Sequence, residues 1–124
     1  MKIKIIDVET TGLERNHKKG HDGIVSCAFG VYDTKNDVIK SSYKEYRPLC
    51  NNSFAFSYNP DRLLREENLY QIKMGSEASK INGFTDEYLQ DKPHFSEDAF
   101  KIADFLRNDI ILSYNGFDFG KTFL

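Results

Sequence analysis

Apolar and polar residues alternate over the first few positions, and then the apolar ones run together: Lys2-Ile3-Lys4-Ile5-Ile6-Asp7-Val8. That pattern predicts a strand over Lys2 to Val8, ended by Thr10-Thr11-Gly12. A polar loop with two glycines, Glu14 to Gly23, follows. Ile24 to Tyr32 (IVSCAFGVY) is almost wholly apolar and predicts a second strand, buried on both faces. Thr34 to Asp37 (TKND) has the composition of a hairpin turn. Val38 to Arg47 predicts a third strand, more polar and so nearer an edge of the sheet. Three sequential strands of this kind make an antiparallel meander.

Pro48 to Gly75 lacks a clear period, although Leu63, Leu64 and Leu69 could sit on a short helix. Glu77 to Ile81 reads as a helical turn ahead of Asn82-Gly83. The clearest helix runs from Glu97 to Arg107, with Ala99, Ile102, Ala103 and Leu106 on one stripe. Ser96 can cap it, and Glu97 and Asp98 favour its positive end. Asp109 to Tyr114 predicts a fourth strand, broken by Asn115-Gly116-Phe117-Asp118. Strands first and helix–strand alternation afterwards predict an α/β fold with a mixed sheet.

Composition narrows the partners. The 124 residues suit one domain, 1–124, and 40% hydrophobic with 14% aromatic residues is a globular composition. A net charge of −2 gives no general attraction to nucleic acid or anionic membrane, so any such contact must be local or run through metal ions. Cys27 and Cys50 lack metal-site spacing and read as reduced structural thiols of a cytoplasmic protein. The apolar run before Asp7 is too short for a signal peptide, and no stretch has membrane-spanning length. No membrane partner is therefore expected.

Asp7 and Glu9 change the picture most. Two residues apart on a strand, their side chains share one face. Bare carboxylates there repel each other and resist burial. A divalent cation relieves both costs, and Mg²⁺ favours one or two carboxylates together with substrate phosphate. A solvent-facing acid pair on an edge strand is the ordinary alternative for an isolated Asp-x-Glu. Here the pair stands at the carboxyl end of the first strand, just before Thr10-Thr11-Gly12-Leu13, which is where ligands bind in α/β sheets.

Asp7-Val8-Glu9-Thr10-Thr11-Gly12-Leu13 resembles the first motif of the 3′–5′ exonucleases with four acidic metal ligands, Asp-Glu-Asp-Asp, and most closely their polymerase-proofreading branch. Ile81-Asn82-Gly83-Phe84-Thr85 is similar to a second stretch of that family, with Asn82 where the family often has His. Lys92-Pro93-His94-Phe95 matches the lead-in to its helix, and Ile110 to Tyr114 with Asn115-Gly116-Phe117-Asp118 resembles its second motif. The resemblance implies a ribonuclease H-like fold, in which the meander is continued by parallel strands. It implies that Asp7, Glu9 and Asp118 are catalytic and hold the metal, Mg²⁺ or Mn²⁺, with two ions in a complete site about 4 Å apart. It implies that Thr10, Thr11, Gly12 and Leu13 face the 3′-terminal nucleotide, Leu13 packing on its base, and that Asn115 helps shape the site. Gly12 as a strand-ending glycine and Asn115 as a turn former are the plainer alternatives.

The second motif is compressed: only Gly116 separates Asn115 from Phe117-Asp118. No segment matches the family's third motif, which brings a His or Tyr base and the fourth acid. None of His17, His21 and His94 stands where that base would be. The expectation is a domain whose C-terminal part is missing, weak or inactive by itself. Its partners would be a single-stranded or frayed nucleic-acid 3′ end, and a polymerase or the missing C-terminal half. The competing reading is a non-catalytic fragment that binds metal, nucleotide or another protein. Arg15, Lys18, Lys19 and His21 could touch phosphates or simply form a solvated loop. The aromatic residues between Leu49 and Tyr70 could serve core packing or a partner surface.

Overall fold

The computed structural model describes residues 1–13, 22–50, 60–66, 69–107 and 110–113. Strand β1 (Lys2–Thr10) pairs antiparallel with β2 (Ile24–Asp33), and β2 pairs antiparallel with β3 (Val38–Glu45). The short strands β4 (Leu49–Cys50), β5 (Leu63–Glu66) and β6 (Leu69–Ile72) form a second antiparallel sheet in the order β4-β6-β5. Helices α1 (Ser76–Asn82), α2 (Asp86–Leu89) and α3 (Ala99–Leu106) lead into β7 (Ile110–Ser113). Strand β7 lies parallel to β1, with Ile3 opposite Ile110, which gives the main sheet the order β3-β2-β1-β7. The meander and the parallel fourth strand are therefore as the sequence predicts.

Alternation decides which face of β1 is buried. Ile6, Val8 and Thr10 are buried, whereas Asp7 between them is exposed. Ile6 and Val8 join Ile24, Cys27, Tyr46 and Ile102 in one apolar cluster, against which Phe29, Phe95, Leu106 and Ile111 pack. Ile102 is the contribution of α3, so this helix covers that face of the sheet. Full burial of each such side chain stabilises the fold by about 1.5–3 kcal/mol. Phe105 extends the contact edge-on to Phe29, centroids 5.6 Å apart, and the Lys4 ammonium lies 4.0 Å above its ring. A second cluster of Val25, Phe84 and Leu89, with Met74 against it, secures α2.

Several expectations change. Leu63, Leu64 and Leu69 lie on strands, not on a helix: Leu63 pairs with Ile72 and Leu64 with Gln71 in the β5–β6 pairing. The helical preference of leucine is a few tenths of a kcal/mol per residue, and a backbone ladder with a partner strand outweighs it. Strand β2 is fully buried only over Ile24 to Cys27; beyond that it is mostly half-buried. Helix α3 starts at Ala99, after a 3₁₀ turn over Phe95–Glu97, rather than at Glu97. Ser96 does not cap it, because its hydroxyl pairs with His94 Nδ1 at 2.9 Å. Asp98 holds the cap position but makes no cap bond; its carboxylate is taken by the Tyr46 hydroxyl at 2.9 Å and the Lys44 ammonium at 2.6 Å. Ala103 of the expected stripe is exposed. The Asn82-Gly83 break is as predicted: Gly83 takes φ +78° and its N–H donates to Ser79 O at 2.8 Å, closing α1 with a left-handed turn.

Candidate active site

Strand β1 continues two residues past its predicted end, so both acids stand within the ladder: Asp7 opposite Ala28 and Glu9 opposite Ser26. Both partners are small. The register shifts between Glu9 and Thr10, which marks the end of regular pairing just beyond the acids. Glu9 is half-buried. Its carboxyl is held above the usual carboxylate range, chiefly by burial and then by the like charge of Asp7, and a hydrogen bond from Asn82 opposes that rise. A half-buried carboxyl with a second acid close enough to raise its cost of ionisation is a site that a cation would relieve.

Asn82, at the end of α1, matters more than its place in the sequence suggests. Its Nδ2 donates to Thr10 O at 3.3 Å and its Oδ1 accepts from Phe84 N at 3.1 Å. One side chain thus ties the end of β1, the end of α1 and the following turn together beside Glu9. The departure from His was visible in the sequence, but this bridging position was not.

Beyond β1 the chain is fixed from below. Thr11 is fully buried, and its Oγ1 donates to Asp22 Oδ1 at 2.6 Å. Its backbone N–H donates to Gly23 O at 2.9 Å, and its carbonyl accepts from Gly75 N at 2.7 Å. The Thr10 hydroxyl donates to Gly12 O at 2.7 Å. Asp22 is 1% exposed, and Arg62 meets its carboxylate with two nitrogens, Nη1 at 3.3 Å from Oδ2 and Nη2 against Oδ1. Gly12 is no mere strand-ending glycine, since an added β-carbon would come 2.6 Å from Asp22 Oδ2. Asp22 and Arg62 escaped the sequence reading: they lie 40 residues apart, and no local period links them.

A cleft of about 490 Å³ opens between the end of β1 and α1, with Glu9, Leu13, Arg62, Glu77, Ile81 and Asn82 among the residues of its wall. Leu13 is 77% and Ile81 84% exposed, so two apolar side chains stand free at its rim. Thr10 and Thr11 turn their side chains inward, and Gly12 and Leu13 beyond them line the cleft. Of the first-motif residues, Glu9, Thr10, Gly12 and Leu13 line the cleft, Asp7 shares the face of Glu9 on β1, and Thr11 is buried.

Asp118 and Asn115 lie outside the described residues, as do Arg15, His17, Lys18, Lys19 and His21. Among the described residues, no group of three His, Cys, Asp or Glu side chains gathers where it could hold a metal ion. His94 links β4 to the 3₁₀ turn, with Nε2 3.2 Å from Leu49 O and Nδ1 on Ser96, a structural role. Burial, followed by the charges of Asp98 and Asp7, pushes the Cys27 thiol up to about 12, so it is an inert core residue. No helix among the described residues is long and apolar enough to cross a membrane.

Comparison with known proteins agrees with this layout. The sequence pattern of the RNase_T family, described as exonuclease, matches residues 5–122. DNA polymerase III subunit epsilon of Escherichia coli K12 is 31% identical over 119 residues, an alignment spanning 94% of this chain and 40% of that protein. The chain thus spans about two-fifths of the length of this curated relative. Escherichia coli exonuclease I in complex with a dT13 oligonucleotide superposes with a TM-score of 0.67 at 16% identity, over 98% of this chain and 22% of that one. The zinc-bound form of an exonuclease I–single-stranded DNA complex gives 0.67 at 17% identity, again over 98% and 22%. These likenesses make the fold ribonuclease H-like, and the mixed sheet is consistent with it. With paired acids at the carboxyl end of the central strand and a family pattern running almost from end to end, this chain belongs to the RNase_T exonucleases.

Proposed function

We propose that the chain is a single domain, 1–124, of a 3′–5′ exonuclease, acting in the cytoplasm on single-stranded or frayed DNA 3′ ends, with a polymerase as its protein partner. The observation that carries this reading is the shared face of Asp7 and Glu9, opening beside a cleft whose rim presents Leu13. The relatives' names support it: one is a DNA polymerase subunit, and the other was captured on an oligonucleotide.

The donor set fits a hard divalent cation, Mg²⁺ or Mn²⁺. It consists of carboxylates only, and their mutual repulsion with the partial burial of Glu9 is a cost that such an ion removes. Asp7 and Glu9 would hold it, with Asp118 as a third ligand. Bound divalent ions supply charge neutralisation at the attacked phosphodiester and acidify the attacking water. The chain's own work is positioning. The backbone around Thr10 to Leu13 seats the terminal nucleotide, Leu13 covers its base, and Asn82 steadies Glu9. Asn115 would help shape the site.

A second reading starts from Asp7 and Glu9 alone, the two acids that share a face of β1. Two carboxylates bind a cation without organising hydrolysis, so a metal- and nucleotide-binding domain that needs further groups for turnover follows. Release of mononucleotides from a 5′-labelled single strand in Mg²⁺ or Mn²⁺ separates the readings. Turnover that Asp7→Ala abolishes supports the exonuclease. Nucleotide binding without turnover supports the second reading, and neither binding nor turnover rejects both.

A further inference from the structure

The 3₁₀ turn Pro60–Arg62, which leads into the small second sheet, reaches the cleft. Arg62 precedes β5 directly and stands in the cleft wall, its side chain 24% exposed. Its guanidinium grips the carboxylate of Asp22, which is 1% exposed. Asp22 in turn accepts from the Thr11 hydroxyl and lies directly under Gly12. Thr11 Oγ1 also accepts from Gly23 N at 3.1 Å, and Lys73 N donates to Arg62 O at 2.7 Å, so both ends of the chain Arg62–Asp22–Thr11 are anchored in backbone. The two residues that follow Thr11, Gly12 and Leu13, line the cleft.

We infer that Arg62 is a positioning residue for the 3′-terminal nucleotide: through Asp22 it fixes the height of the Thr11–Gly12–Leu13 backbone, and with it the gap into which the sugar and base enter. The inference rests on the exonuclease reading above. The planar fork of Arg suits this task, because it meets both carboxylate oxygens and cannot lose its charge. A lysine would hold Asp22 by one point only. The acids that take the cation are on β1 and make no use of this brace, so nucleotide binding and cation binding should separate.

The test titrates thymidine 5′-monophosphate into the protein with Mn²⁺ in excess, by calorimetry, and records the Mn²⁺-induced rise in Tm alongside. Arg62→Ala should weaken nucleotide binding about tenfold, the scale of a displaced positioning segment, while the Mn²⁺ response stays as in the parent. Arg62→Lys should fall between the two. Should Arg62→Ala fail to fold by circular dichroism, the double variant D22N/R62Q removes both charges together and should show the same loss. Nucleotide affinity unchanged in the folded variant overturns the inference, and so does an equal loss of both responses, which would mark a merely structural brace. A parent protein that responds to Mn²⁺ but takes no nucleotide also overturns it. A parent that responds to neither overturns the exonuclease reading itself.

Discussion

A β-carbon on Gly12 would lie 2.6 Å from Oδ2 of Asp22, nearer than side-chain carbons approach other atoms. Asp22 has no freedom to yield, because Thr11 and Arg62 hold both of its oxygens and it is buried. Gly12→Ala should therefore cost about 1–3 kcal/mol, as overpacking does. Urea denaturation followed by circular dichroism measures it. An alanine variant as stable as the parent would show that Asp22 can move.

Glu9 gives a prediction with a definite sign. Its folded-state pKa is raised by burial and by Asp7, so its protonated form favours folding. That stability is fully present below the ordinary glutamate value of 4.5 and is lost as pH rises through the folded pKa. Without metal, Glu9→Gln should melt higher than the parent at pH 7 and closer to it at pH 4. With Mn²⁺ the order should reverse, since the parent gains from binding and the variant does not. Differential scanning fluorimetry at the two pH values checks both halves.

Asn82 stabilises the ionised form of Glu9 against that rise. Asn82→Ala should move the onset of Mn²⁺ binding to higher pH, because carboxylates must be deprotonated to take the ion. It also removes the bonds to Thr10 O and Phe84 N, for a loss of about 1–2 kcal/mol. A Mn²⁺ titration repeated across pH 4 to 7 would show the displacement; an unmoved onset would remove Asn82 from the site.

Away from the cleft, Asp98 carries the link between β3, the buried ring of Tyr46 and α3. Lys44 and then Tyr46 hold its carboxyl below the ordinary aspartate value of 3.8. Its contribution is thus present above that value and lost as pH falls through the folded pKa. Asp98→Ala leaves the Tyr46 hydroxyl without this acceptor and should cost about 1–3 kcal/mol at pH 7. The gap between variant and parent should narrow in acid below pH 4. Tyr46→Phe with D98A should recover part of the loss, which urea curves on the three proteins would reveal.

The meander was legible because Ile3 to Val8 and Ile24 to Tyr32 bury enough apolar surface to impose a strand period on the sequence. The acid pair was legible for the opposite reason, as charge placed where that period asks for burial. The β5–β6 pairing was not, since Leu63, Leu64 and Leu69 carry no alternation and only their cross-strand partners make them strands. The start of α3 was misplaced because Asp98, a good cap by type, is drawn off to Tyr46 and Lys44. The Asp22–Arg62 pair could not be read at all: an ion pair between distant loops leaves no mark in either of them.

The central claim is that Asp7 and Glu9 jointly hold a divalent cation at the mouth of this cleft. An anomalous-difference map from crystals grown with Mn²⁺ and thymidine 5′-monophosphate tests it most directly. The account predicts a manganese peak within coordination distance of both carboxylates, with the nucleotide's phosphate on the same ion and its base against Leu13. Manganese bound elsewhere, with both carboxylates bare and the nucleotide absent from the cleft, would contradict it.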